Sequence, residues 1–173
     1  MRKFNTPLVV VLGALCTFLL INAFVTSDRH YAYIDNNKVF SEFKLTDEYT
    51  IKLNKIQEER SAVLDSMELR VQQKRAAISQ ESSEVEVLQL RKEIMELENT
   101  RKRFEEQNQI LTAQYDDIIW KQLNSYIKSY GDEKGFDMIL GVSGQGNLMY
   151  ANGSLDVSQE VLQYVNDKYD GKN

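Results

Sequence analysis

Apolar residues recur every three or four positions across residues 45–130, with one polar interruption near the middle. The first half reads Tyr49, Leu53, Ile56, Val63 and Met67, with Arg60 filling the gap. The second reads Leu90, Ile94, Leu97, Phe104, Leu111, Tyr115 and Ile118, with Arg101 and Asn108 in register. This rhythm predicts two long helices, each carrying one apolar seam and needing a partner helix. Between Gln80 and Glu86 the seam lapses without Gly or Pro, which fits either a tight turn or a continuous, bent helix. A reversal is favoured, because each seam then covers the other within one chain. Limbs of about 40 residues would reach about 60 Å. Polar seam positions Arg60, Arg70, Lys74, Arg101 and Asn108 predict an arm that is loosely held and flexes.

The flanks follow a different pattern. Residues 31–35 are aromatic and β-branched and read as a strand, turned by Asn36-Asn37 into a short helical stretch at 38–43. Thr46, Asp47 and Glu48 offer a cap and acidic first-turn residues for the first long helix. Gly131 and Gly135 signal the stop of the second. Residues 136–142 and 148–151 then read as two strands across the Gly-rich turn 143–147, a β-hairpin. A helix over 155–169 closes the chain, capped by Ser154 or Asp156, with Val157, Val161, Leu162 and Val165 on its apolar face. The predicted fold is α+β. A long antiparallel helical-hairpin, coiled-coil arm (45–130) is inserted into a small β-body made of 28–44 and 131–173. Ile34, Val39, Phe40, Phe136, Met138, Leu140, Leu148 and Tyr150 are the candidates for the body's core and for contact between copies. So small a body buries little surface alone, so self-association is expected.

The first residues carry a separate signal. Arg2 and Lys3 precede an apolar run over 8–21 and small residues ending at Ser27, the layout of a secretory signal peptide at 1–27. The alternative is an uncleaved membrane anchor, since 8–25 is just long enough to span a bilayer. Cys16, the single cysteine, lies within that run and follows Leu15, which argues against lipidation; removal of the leader leaves no thiol for a disulfide. Without Arg2 and Lys3, 19 basic residues face 26 acidic ones, a balance of −7. That excludes a general nucleic-acid binder.

Catalytic chemistry has few candidates. The single histidine, His30, is a tail residue, so clusters of Cys and His that would hold a metal are excluded by count. No cofactor is implied. The stretch 141–146 fits neither a phosphate loop nor a nucleophile elbow. Trp120 and Tyr126 read as packing at the arm's root. The chain reads as a non-enzyme. What remains are apolar residues that a two-helix contact does not all need: Ile51, Leu69, Val71, Ile78, Val87, Leu88 and Met95. They are either ordinary surface residues or a diffuse apolar lining that touches a partner weakly at many points. Arg70, Lys74, Arg75, Arg91 and Lys92 read as a solvated basic face.

Three groups of residues carry a resemblance to a known family. They are Ala32-Tyr33-Ile34-Asp35 with Lys38-Val39-Phe40-Ser41-Glu42-Phe43; Lys134-Gly135-Phe136-Asp137-Met138-Ile139-Leu140 with Leu148-Met149-Tyr150-Ala151; and Leu155-Asp156-Val157-Ser158 with Val161, Leu162, Val165 and Asn166. In this order around a coiled-coil insertion they resemble the Skp (OmpH-like) family of periplasmic chaperones. The resemblance implies a homotrimer with a central β-barrel body and three arms enclosing a cavity. Unfolded outer-membrane proteins would be the partners, held without ATP and delivered for assembly, and the periplasm the location. The best-known members are strongly basic, whereas this chain has a pI near 5.0, so no lipopolysaccharide site is carried over. The alternative is a coiled-coil scaffold or tether, anchored in the inner membrane by the leader and facing the periplasm; membrane contact is expected only in that case.

Overall fold

The computed structural model describes residues 30–79, 82–144 and 146–172. The leader reading at 1–27, and Cys16 with it, lies outside them. The elements are β1 (Tyr31–Asp35), α1 (Asn36–Ser41), α2 (Lys44–Ala77), α3 (Glu84–Lys134), β2 (Met138–Val142), a 3-10 turn (Gly153–Leu155) and α4 (Ser158–Tyr169). Among the described residues no helix is long and apolar enough to cross a membrane.

The chain does reverse. Ile78 ends α2 in an extended conformation, and Ser83 starts α3 with a capping box: its hydroxyl accepts from the Glu86 N–H while the Glu86 carboxylate accepts from the Ser83 N–H at 2.8 Å. This satisfies two orphan donors at once and gives a stop and a start without Gly or Pro. The Ser-x-x-Glu spacing is legible in the sequence and decides between a turn and a bend. α2 spans 34 residues, about 50 Å, and α3 spans 51, about 75 Å. The last turns of α3 therefore extend past α2 and belong to the body.

The seam differs from the expected one at four places, since Val71 and Thr100 also turn inward where Arg70 and Arg101 were expected. It passes through Leu64 rather than Val63, and through Ile119 rather than Ile118; Val63 is 45% exposed. On α2 the inward positions are Tyr49, Leu53, Ile56, Arg60, Leu64, Met67, Val71, Lys74 and Ile78, a mean step of about 3.6 residues. A 3.5-residue repeat would wind the pair left-handed; a 3.6 repeat leaves the helices nearly straight, and the inward stripe drifts by one residue every few turns.

Polar seam residues are matched across the arm. Arg60 donates to Asn108 Oδ1, to Gln107 Oε1 at 3.1 Å and to the Phe104 carbonyl, with its guanidinium 5.3 Å from the centre of the Phe104 ring. Arg101 pairs with Glu68, and Lys74 with Glu93. Arg70 stays exposed. Between these layers Met67, Val71 and Leu97 form a small apolar cluster with Leu64, Leu90 and Ile94. Tyr49 and Tyr115 meet near the root with ring centres 4.3 Å apart.

The body is a two-stranded sheet packed on helices. β1 and β2 run parallel, with Tyr31 opposite Met138 and Asp35 opposite Val142. Parallel strands need a crossover connection, and here the crossover is the whole arm. The expected β-hairpin does not form: residues 148–151 are not a strand. The outer edge of β1 is taken at Tyr33, whose carbonyl accepts from the Val157 N–H. Gly144 and Gly146, at φ 72° and 87°, then turn the returning segment so that Leu148, Tyr150 and Ala151 flank the apolar sheet face instead of extending the ladder.

Beneath the sheet, Ile34, Val39, Phe43, Ile119, Leu123, Tyr130, Val161 and Val165 make the core. Aromatic contacts tighten it: Phe40 on Trp120, Phe43 on Tyr126 and Tyr169, and Tyr130 on Phe136 and Tyr164. Two helix ends differ from expectation. Thr46 does not cap α2, since its hydroxyl donates to the Phe40 carbonyl. Asn166 of α4 instead accepts from the Lys44 N–H at 2.9 Å and donates to the Glu42 carbonyl, capping α2 from 122 residues away. Nor does α3 stop at Gly131, which lies inside the helix and is buried. Gly135, at φ 73°, is the stop, in the left-handed conformation that only glycine adopts freely.

Candidate functional site

Two surfaces stand out: the outward faces of the arm and the uncovered face of the sheet. The root clasps hold both in place. Asp35 N–H donates to the Ser158 hydroxyl, which donates to Asp156. The Tyr164 hydroxyl donates to Glu133 at 2.6 Å, and Lys168 stands 3.5 Å from the same carboxylate. These contacts hold the Glu133 carboxyl below its ordinary range, the tyrosine bond first; burial and that bond push the Tyr164 hydroxyl up to about 12. The C-terminal end of α3 is thereby fastened to α4, and the arm leaves the body at a fixed root.

On the arm, the candidate residues separate by face. Ile51 and Leu69 lie 18 residues apart, about five turns, so they share the side of α2 that points away from α3. Leu88 and Met95 hold the corresponding side of α3. All four are exposed. Ile78 and Val87 are half-buried near the tip. Val71 is a correction: at 8% exposure it belongs to the seam, whereas Leu69, two residues earlier, is 54% exposed. The drift of a 3.6-residue stripe brings Val71 inward. Sequence reasoning missed Val85 and Ile110, which are also exposed on α3, and Val63 and Ile118, which it placed in the seam. A window at 100° per residue, rather than a heptad, finds all four.

The exposed apolar residues do not merge into a patch. They sit singly along both limbs, separated by charged side chains such as Glu58, Asp65, Arg91 and Lys92. No deep cleft is lined by them, and among the described residues no group of three or more His, Cys, Asp or Glu converges. Such an arm offers many shallow contacts and no single anchor.

The sheet face is different. Ile34, Val39, Phe40 and Phe136 of the body candidates pack into or against the core. Met138, Leu140, Leu148 and Tyr150 do not: with Tyr31, Tyr33 and Leu155 they line an open apolar concavity of about 460 Å³. Tyr150 is 84% exposed in the single chain. The face is continuous, apolar and close to the free edge of β2, which is an interaction surface by its chemistry.

The sequence profile of the outer membrane protein (OmpH-like) family matches residues 30–165. The chain belongs to the OmpH-like family. The match begins one residue before β1 and ends within α4, so it takes in the arm and almost all of the body. Six chains of solved structure match significantly. One is a crystal structure of a protein from Caulobacter crescentus assigned as an outer membrane chaperone (OmpH-like). It is 14% identical, with a TM-score of 0.55, and the match covers 81% of this chain and 85% of that one. No curated protein matches significantly. At that identity the crystal structure speaks for the fold: long helices and a small sheet arranged as in an OmpH-like protein.

Proposed function

We propose that this OmpH-like chain is an ATP-independent holdase of the periplasm. It binds unfolded outer-membrane proteins in a cavity between helical arms, prevents their aggregation and passes them on for assembly. The observation that carries the reading is the outward distribution of Ile51, Leu69, Leu88 and Met95, with Val85 and Ile110. Singly placed apolar side chains along an arm of about 50 Å give contacts that are individually weak and collectively retentive. Such a surface suits a chain with no fixed shape better than a folded partner, which would need a contiguous patch with a central anchor. The uncovered sheet face around Met138, Leu140, Leu148 and Tyr150 supports assembly of copies through the body, a homotrimer in this reading. Arg2, Lys3 and the apolar run after them support export by a signal peptide.

The chain's acidic balance makes apolar contact, rather than charge attraction, the main source of client affinity. The test uses the purified protein. Its mass in solution is measured, and its ability to keep a urea-denatured outer-membrane barrel soluble on dilution is followed by light scattering at low and high salt. The expected result is an oligomer that suppresses scattering, with activity nearly unchanged by salt and reduced by the joint replacement Leu69→Ser, Leu88→Ser, Met95→Ser. A monomer without activity overturns the reading. A steep loss with salt overturns the apolar basis of capture, because screening weakens only charge attraction.

A further inference from the structure

On the helical side of the body, away from the uncovered sheet face, α3 and α4 enclose a second open concavity of about 540 Å³. Its floor is aromatic. Tyr130 and Phe136 stack with centres 5.9 Å apart, and Tyr164 meets Tyr130 edge-on at 5.3 Å. Its mouth carries Glu160, Asp167 and Lys134. Two features of this site have no use in the fold. The Tyr130 side chain is 5% exposed and lines the concavity, yet its hydroxyl has no hydrogen-bond partner among the described residues. Burial first, and the Glu160 carboxylate second, disfavour ionisation of that hydroxyl, and Glu160 makes no ion pair among the described residues. Asp167 is shared with Lys172 at 3.7 Å, so Glu160 is the free charge of the mouth. The ring is buried, but the hydroxyl opens to the concavity, where a ligand can reach it.

A ligand suited to this site carries positive charge to meet Glu160, donates a hydrogen bond to the Tyr130 hydroxyl and tolerates ring faces. The protein already shows the last preference nearby, where the Lys168 ammonium sits 5.4 Å from the centre of the Tyr164 ring. We propose that this concavity receives a single lysine or arginine side chain, flanked by neutral residues, from an extended segment of a partner protein. The cationic head donates to the Tyr130 hydroxyl and pairs with Glu160, and its stem lies against the aromatic floor. Lys134 at the rim sets selectivity, since it repels runs of several adjacent cations and admits a single basic residue between neutral ones. The site shares no residue with the sheet face, so it stays open when the body assembles through that face. It does not depend on the role of the arm.

The test is a titration of the purified, isotope-labelled protein with the blocked tripeptide acetyl-Gly-Arg-Gly-amide, followed by amide shifts. Saturable shifts centred on Tyr130, Glu160 and Tyr164 are expected. The same peptide with citrulline in place of arginine should bind at least about tenfold more weakly, the worth of one good charge pair. Glu160→Gln should weaken arginine-peptide binding to the same degree without changing the melting temperature, because Glu160 is exposed. Tyr130→Phe keeps the ring packing and should weaken binding while leaving the fold intact. Shifts scattered over the surface, equal binding of both peptides, no shift at all, or undiminished binding by a folded Glu160→Gln protein would each overturn the proposal.

Discussion

The polar layer at Arg60 and Asn108 yields a test of how the arm is held. Arg60→Leu removes the donor to Asn108, Gln107 and the Phe104 carbonyl, leaving three acceptors at a half-buried seam. Unmade hydrogen bonds in fully buried sites cost about 1–3 kcal/mol each, but water reaches this layer, so the total should be about 1 kcal/mol. Asn108→Leu sets an apolar group against a guanidinium and should cost about the same. The double change behaves differently. Two half-buried leucines contribute about 2 kcal/mol together, which offsets the lost hydrogen bonds and the ring contact with Phe104. The double variant should therefore be as stable as the native arm, whereas additivity predicts a loss of about 2 kcal/mol, so the coupling is about 2 kcal/mol. Hydrogen exchange of peptides covering 53–64 and 104–115 reads this locally. Additivity would make the double variant exchange about thirtyfold faster than the native protein. That result would refute the view that Arg60 and Asn108 form one unit.

Other outcomes follow from single residues. Gly135→Ala meets no neighbouring atom, so its cost is the left-handed backbone alone, about 1–2 kcal/mol, seen as a lower melting temperature that Gly135→Asn partly recovers. Ser83→Ala breaks the capping box and should cost about 1 kcal/mol, detected as faster exchange at 84–87 with the body's protection unchanged. Leu123→Ala empties a fully buried site at the arm's root and should cost about 2–5 kcal/mol in denaturant titration, while the exposed Ile51→Ala stays within about 0.5 kcal/mol. The Ser158 hydroxyl, with help from its N–H and from Lys38, holds the Asp156 carboxyl below its ordinary value of 3.8. A folded-state value below the unfolded one means that Asp156 stabilises the fold above about pH 4, and that this contribution is lost as pH falls through the lower, folded value. Asp156→Ala should thus lower stability at neutral pH and flatten its decline below pH 4; an unchanged acid limb would contradict this role.

The arm and its insertion were legible because they rest on local periodicity, which a long amphipathic helix states many times over. The face of each residue was less so. Val63 and Val71 were misplaced because a heptad and an 18-residue, five-turn helix differ by only one position over several turns, and only the partner helix reveals which repeat holds. The tip had a local signal in Ser83 and Glu86 that composition alone, lacking Gly and Pro, obscured. The strand at 148–151 failed for the opposite reason. Its residues suit a strand and the edge of β2 is free, but the positive-φ turn at Gly144 and Gly146 sends the segment across the apolar sheet face instead of along that edge. The cap of α2 by Asn166 is likewise invisible to any window shorter than 122 residues.

These misreadings share a physical cause that bears on function. Where a side chain's partner lies on the same helix, spacing identifies it; where the partner lies on another limb, spacing gives only a stripe about 100° wide. The exposed apolar residues of this arm are those the stripe fails to cover, and they alternate with charges instead of clustering. A heptad seam of uniform leucines would have drawn the limbs into a tight supercoil and left a polar outer face. The 3.6-residue seam, interrupted by Arg60, Lys74 and Asn108, leaves a nearly straight arm whose outward side keeps Ile51, Leu69, Leu88 and Met95 in water. The irregularity that makes the coiled coil imperfect is thus the same feature that supplies the scattered apolar residues on which the proposed capture of an unfolded chain rests.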